Sequence, residues 1–263
     1  MMFIAVALSA AAYFLSIGLG EVWVAAWIAP IPVLWLAFQS SRRTAAIAGA
    51  ASFFLGSLNL FGYLSRIIPI PIVLFLLAIP ALAFAASVIC VRHVTDHAPP
   101  WAAAFAFPAA WTSYEFLLSQ VSPHGTAVSL AYSQVDMLPL LQIASITGIW
   151  GITFLVTLIP SALAVAWTSR SPRVLVLPAI IGVAALTCGA VRLQHPLTGP
   201  ATRVGLAATD QFPPETFATE DPAQALAVAE RYAGMVRQLA AGGAQVVVLP
   251  EKIEGATRPI PPR

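Results

Sequence analysis

A carboxylate placed directly after a buried strand is a reactive arrangement, because the strand fixes it while the loop leaves it accessible. Glu251 stands in that position, in Leu249-Pro250-Glu251 after the apolar run Gln245-Val246-Val247-Val248. A general base there needs a proton within hydrogen-bond reach. A second carboxylate, Glu115, lies inside an apolar stretch, where an ionisable group marks function by default. Arg66 sits between two apolar stretches and is a candidate partner for Glu115 or for a phospholipid headgroup, and Tyr132 falls in the polar run Tyr132-Ser133-Gln134. The remaining reactive groups are few: one lysine, Lys252, and two cysteines, Cys90 and Cys188. No His, Cys and carboxylate spacing suggests a metal, and no cofactor is expected.

The elements that carry these groups follow from composition. Hydrophobic residues make up 59% of the chain and charged residues 9%, a balance outside the range of soluble domains. Residues 1–190 hold four acids (Glu21, Asp96, Glu115, Asp136) and six arginines, whereas residues 201–263 hold seven acids and six bases. The chain therefore changes solvent near residue 195. Charged, Pro and Gly breaks divide the first part into seven apolar stretches: 2–19, 22–38, 45–64, 70–91, 101–119, 139–167 and 173–192. Each is a candidate to cross a hydrocarbon core of about 30 Å, the first two being short and the sixth long enough to tilt or to start outside.

Seven spans put the chain ends on opposite sides of the bilayer. Arg42, Arg43, Arg92, Arg170 and Arg173 fall in loops on one side and Arg66 alone on the other, which places the N-terminus in the cytoplasm and residues 193–263 outside. Residues 1–19 have no basic leader and read as an uncleaved first helix. Trp23, Trp27 and Trp101 suit interfacial anchoring. Cys90 and Cys188 lie at opposite ends of their spans, too far apart for a disulfide, and read as buried small apolar residues.

The outer segment has a different grammar. Thr202 to Thr209 reads as a strand, and the turn-rich Asp210-Gln211-Phe212-Pro213-Pro214 follows it. Asp221 as N-cap, Pro222 at the first helical position and Gln224 three residues after the cap start a helix. Leu226, Ala229, Ala233, Val236 and Ala240 recur along one face, Gly242-Gly243 ends it, and Gln245 to Leu249 reads as a buried strand. The unit is β-α-β, with Glu251 past the carboxyl end of its second strand, where ligands bind in open α/β sheets.

The stretch Arg203 to Glu251 resembles the opening of the carbon–nitrogen hydrolase (nitrilase) fold, whose first catalytic residue is a Glu in a Pro-Glu pair after a strand. Joined to seven upstream spans, it is similar to the apolipoprotein N-acyltransferase family. Phe107-Pro108-Ala109-Ala110-Trp111 with Glu115, Ala131-Tyr132-Ser133-Gln134, and Gln142 to Gly151 resemble that family's segments around the fifth and sixth spans. The resemblance implies a bacterial inner-membrane protein with a transmembrane domain over 1–193 and an incomplete nitrilase-like extracytoplasmic domain over 200–263. It implies transfer of an acyl chain from a phospholipid, through a thioester, to the N-terminal cysteine amine of a diacylglyceryl apolipoprotein. No nucleic-acid partner is expected. Glu251 then matches the general base, while Glu115, Arg66 and Tyr132 are expected on the substrate-binding side.

The family also uses a Lys that stabilises the oxyanion and a Cys nucleophile. Lys252 is adjacent to the base, Cys90 belongs to the inner side, and Cys188 lies within an apolar helix that silences it. Residues 1–263 are accordingly expected to be inactive alone, as a fragment, a split gene product or a degenerate protein. A membrane-anchored amidase and an inactive scaffold are the alternatives. A transporter is disfavoured, since there is no clear internal repeat and only one intramembrane charge.

Overall fold

The computed structural model describes residues 1–20, 22–195, 199–209 and 221–250, so the turn at 210–214, Glu251 and Lys252 lie outside the described residues. It is mostly helical, and the chain divides into two compact units, Met1–Pro196 and Leu197–Arg263.

The first unit contains α1 (Met2–Ser16), α2 (Trp23–Ile28), α3 (Pro30–Gln39), α4 (Arg42–Gly56), α5 (Phe61–Leu64), α6 (Ile70–His97) and α7 (Pro100–Val121). A 3-10 turn at Leu130–Gln134 precedes α8 (Leu138–Leu141), α9 (Ala144–Thr147), α10 (Ile149–Ser169) and α11 (Val176–Gln194). Among the described residues, four helical stretches, Arg42–Leu64, Ile70–His97, Ile149–Ser169 and Pro172–Gln194, are long and apolar enough to cross a membrane by length and composition. Met2–Ser16 and Trp23–Gln39 are apolar but shorter. The helix α7 has 22 residues but is diluted by Thr112, Ser113, Glu115, Ser119 and Gln120.

Several apolar stretches are not the single α-helices their composition suggests; the third, 45–64, passes from α4 through a 3-10 turn at Ser57–Leu60 to α5. The second is divided at Ala29, ahead of Pro30, which begins α3. The sixth is divided at Gly148, whose φ of +63° is a conformation that favours glycine and marks the start of α10. Residues 138–147 thus form two short helical turns ahead of the long helix.

Packing inside this unit uses aromatic rings and small residues. Tyr13, Phe53, Phe84, Phe107 and Trp111 form a continuous cluster with centroids 4.8–5.5 Å apart, tying α1, α4, α6 and α7 together. Along α4, Ala45, Ala48, Gly49 and Ser52 are buried and let α6 approach closely. A Cβ added at Gly49 would lie 3.3 Å from the Ala85 Cα, the kind of small-residue seam that lets helices pack in lipid. Outward-facing positions are apolar too: Phe3, Ile4, Phe75, Leu82, Trp167 and Val183 are all exposed. Cys90 and Cys188 are free and exposed, so the expectation that both are buried is corrected: each occupies a position on its helix turned away from the protein interior.

In the second unit, β1 (Val204–Leu206) and β2 (Val246–Val248) pair in parallel, Val204 opposite Val246, and α12 (Pro222–Ala241) connects them. Asp221 caps the helix, its carboxylate accepting from Ala223 N at 3.0 Å. At the far end Gly243 N donates to Ala240 O at 2.9 Å and Ala244 N to Leu239 O at 3.0 Å, a Schellman closure with Gly243 at φ +87°. The helix buries Val228 and Tyr232 against Ala207, with Met235, Leu239 and Val247 packed around them. The buried stripe is therefore rotated from the one expected, and Leu226 is exposed. The β2 valines also differ from expectation: Val247 faces the helix, while Val246 and Val248 are exposed on the opposite face. A two-stranded sheet with one helix covers one side only.

Candidate functional site

The sequence singles out Glu115, and the structure surrounds its side chain with donors from three elements. Trp111, one turn earlier on α7, donates from Nε1 to Oε1 at 3.0 Å, and the Leu130 backbone N–H donates to the same oxygen at 2.8 Å. Oε2 accepts from Ser129 Oγ at 2.7 Å and from Thr153 Oγ1, on α10, at 2.8 Å. Glu115 is 5% exposed. Four donors on two oxygens match what a carboxylate can accept, and such a closed polar network inside an apolar bundle is rigid when every member is satisfied.

A second polar anchor lies at the other end of the same turn. Gln134 is fully buried, accepts from Trp27 Nε1 at 2.8 Å, and donates through Nε2 to Trp23 O at 3.0 Å and to Ser133 Oγ at 2.9 Å. Trp27 thus has a bonding role inside the bundle beyond interfacial anchoring. Between these anchors Tyr132 stays 55% exposed, its hydroxyl 2.9 Å from that of Thr126. The 3-10 turn is clamped to α7, α10 and α2 and presents one aromatic phenol outward.

Arg66 follows α5 and is exposed; its backbone N–H donates to Tyr63 O at 3.2 Å, while its guanidinium makes no hydrogen bond or ion pair among the described residues. It is not a partner of Glu115, whose donors are all neutral. The structure therefore brings Glu115 and the Tyr132 turn together and leaves Arg66 separate, while Glu251 lies outside the described residues. No group of three or more His, Cys, Asp or Glu suited to a metal occurs among the described residues. Beside this cluster, Thr112, Ser113, Phe116, Leu117 and Trp150 line an open groove of about 380 Å³ between α7 and α10, with Phe116 and Trp150 edge to face at 5.5 Å. Its lining is mainly apolar with two hydroxyls.

The residues that complete the polar cluster could be found only in part from sequence. Trp111 and Glu115 are four apart and so share a helix face. Ser129 and Thr153 are 14 and 38 residues away from Glu115, and nothing in their spacing marks the contact.

A family model described as the apolipoprotein N-acyltransferase N-terminal domain matches residues 9–162, more than half of the chain. The chain belongs to this family. Over 106 residues it is 33% identical to the apolipoprotein N-acyltransferase of Shewanella oneidensis (strain MR-1), an alignment covering 40% of this chain and 20% of that protein. The chain thus matches about a fifth of that relative's length. Arg66, Glu115, Tyr132, Gln134 and Thr153 all fall within the matched 9–162, as do the aromatic cluster and both polar anchors. Family membership and the apolar helices together mark a membrane protein.

Proposed function

We propose that this chain supplies the membrane domain and the opening of the outer domain of an apolipoprotein N-acyltransferase. The observation that carries the reading is the family match over 9–162, the region that holds the clamped Tyr132 turn. Seven helical stretches cross the inner membrane with the N-terminus in the cytoplasm, the arginine asymmetry setting the direction. A nitrilase-like domain begins near residue 200, and its β1-α12-β2 crossover leads to Glu251.

The proposed reaction has two stages. A thiolate attacks the ester carbonyl of a phospholipid, the tetrahedral oxyanion collapses, and the lysophospholipid alkoxide leaves with a proton. The resulting thioester is then attacked by the N-terminal amine of a diacylglyceryl apolipoprotein, whose proton passes to Glu251 as the C–S bond breaks and the thiolate leaves. Glu251 serves as the general base, taking the proton from the thiol and handing it to the leaving alkoxide. Arg66 and Tyr132, both exposed, offer donors to a headgroup from separate positions, and Glu115 belongs with the Tyr132 turn on the substrate-binding side. The open, mainly apolar groove between α7 and α10 offers a surface along which a hydrocarbon chain can lie. The nucleophile and oxyanion donor lie outside the groups identified in residues 1–263.

Two experiments test this. Residues 1–263 alone should form no acyl-thioester, and a full-length form completed from a relative should acylate a lipopeptide. In that form Glu251→Gln should lower kcat about a hundred- to ten-thousand-fold; a silent Glu251→Gln rejects the assignment. Reporter fusions after Arg43 and after Gly199 should report cytoplasm and exterior respectively, and the same cytoplasmic signal from both would reject the seven-span topology.

A further inference from the structure

The exposed Tyr132 is held in place by groups that are themselves inaccessible. Glu115 binds the first residues of its turn, through Ser129 Oγ and the Leu130 N–H, and Gln134 binds the last through Trp27 and Trp23. We propose that Glu115 is a positioning residue: it fixes the 129–134 segment so that Tyr132 meets a lipid headgroup in one orientation, and it does not itself touch substrate. The inference rests on the reading of this region as the substrate-binding part of an acyltransferase.

Three observations carry it. Both carboxylate oxygens already take two donors each, so Glu115 has no acceptor capacity left for a ligand. It is enclosed by α7, α10 and the turn, with 5% of its surface exposed. One of its donors is a backbone N–H of the turn itself, and removing the acceptor leaves that buried group unpaired and the segment free to move.

The bonding pattern also predicts which substitution is tolerated. In Glu115→Gln the remaining carbonyl oxygen can still accept from Trp111 and Leu130. The new amide donates to Ser129 and Thr153, whose hydroxyls rotate to accept. The clamp survives without the negative charge. In Glu115→Leu the side chain still suits an apolar bundle, but all four bonds disappear.

Hydrogen exchange on the 263-residue chain in lipid nanodiscs separates these roles. Glu115→Leu should raise exchange across 129–134 by about tenfold or more while α7 and α10 keep their protection. Glu115→Gln should stay within about twofold of the native chain. If Glu115→Leu does not fold, Ser129→Ala removes the hydroxyl that bonds Glu115, Thr153 and the Ala131 N–H, and should still raise exchange about threefold at Leu130 and Tyr132–Gln134, outside the amide it bonds directly. Unchanged exchange in the variant that folds overturns the proposal, and so does a Glu115→Gln chain that exchanges as fast as Glu115→Leu. In the completed enzyme Glu115→Leu should raise KM for a phosphatidylethanolamine donor about fivefold or more with kcat within about twofold. A loss confined to kcat would make Glu115 a participant in the chemistry and overturn the positioning role. Absence of turnover in the completed native enzyme would instead reject the acyltransferase reading and leave the exchange result on the clamp intact.

Discussion

The helical unit and the β1-α12-β2 unit both expose large apolar side chains, yet the pattern of exposure differs. In the helical unit the apolar positions lie on many helices, from Phe3 and Ile4 on α1 to Phe75 on α6 and Trp167 on α10, while Glu115, Gln134, Ser129 and Thr153 are buried and bonded. In the second unit Glu230, Arg231 and Arg237 are exposed on α12, and the exposed apolar side chains of the strands gather on the sheet face opposite it: Val204, Leu206, Val246 and Val248. Apolar exposure on many helices suits hydrocarbon, and the charged and amide groups Glu115 and Gln134 are bonded inside, whereas the hydroxyls of Ser9, Ser52 and Ser161 are buried there without a partner among the described residues. A helix whose larger exposed side chains are mainly polar, with Leu226 the large apolar exception among the described residues, suits water, and the apolar sheet face suits a packing partner. The distribution of exposure distinguishes the two settings, where the amount alone does not.

The largest expected effect breaks the interior of the helical unit. Phe84 is buried and contacts Tyr13, Phe53, Phe107 and Trp111. Phe84→Ala removes the ring that joins four others, so a loss of about 3–5 kcal/mol is expected. Thermal unfolding in detergent would show it as a large fall in Tm, and a Tm within a degree or two of native would mean that the cluster is not the keystone of this unit.

A smaller effect tests the polar side of the same interior. Gln134→Leu fits an apolar site but strands the Trp27 N–H and the Trp23 carbonyl, so a loss of about 2 kcal/mol is expected. Trp27 fluorescence should shift as its partner disappears. Stability equal to native would show that burial of the turn, and not its hydrogen bonds, holds α2 to the 3-10 segment.

Much of this architecture was legible in the sequence, and the gaps have physical causes. Long apolar stretches such as 70–91 became helices because a bilayer-length run has little else to do with its backbone groups. The stretch 139–167 misled because composition is blind to a single φ: Gly148 turns the chain without lowering the hydropathy around it. The α12 stripe was rotated because alanines contribute to periodicity as much as Val228 and Tyr232 do, whereas burial selects the larger side chains. Glu115 stood out as an ionisable residue in an apolar run. Its partners did not, since Ser129 and Thr153 meet it only through tertiary packing, as Trp27 meets Gln134 across 107 residues.

The smallest expected effect sharpens the other half of the comparison. Val246 and Val248 point away from α12, and each retains about half of its surface, so in the isolated chain their methyl groups lose little by becoming hydroxyls. Threonine keeps the β-branched shape that strands favour, and its hydroxyl can bond to water. Val246→Thr with Val248→Thr should therefore change the stability of the β1–β2 pair by no more than about 0.5 kcal/mol. Exchange of the Ala207 amide, which donates to Val248 O at 3.0 Å, reports that pair directly. In a longer protein where a further layer packs on this face, the same double substitution would place two hydroxyls in a dry interface and should cost about 2 kcal/mol or more. A large loss in the 263-residue chain would mean that the sheet face is already covered there. Equal, small losses in both forms would mean that no packing layer forms on it.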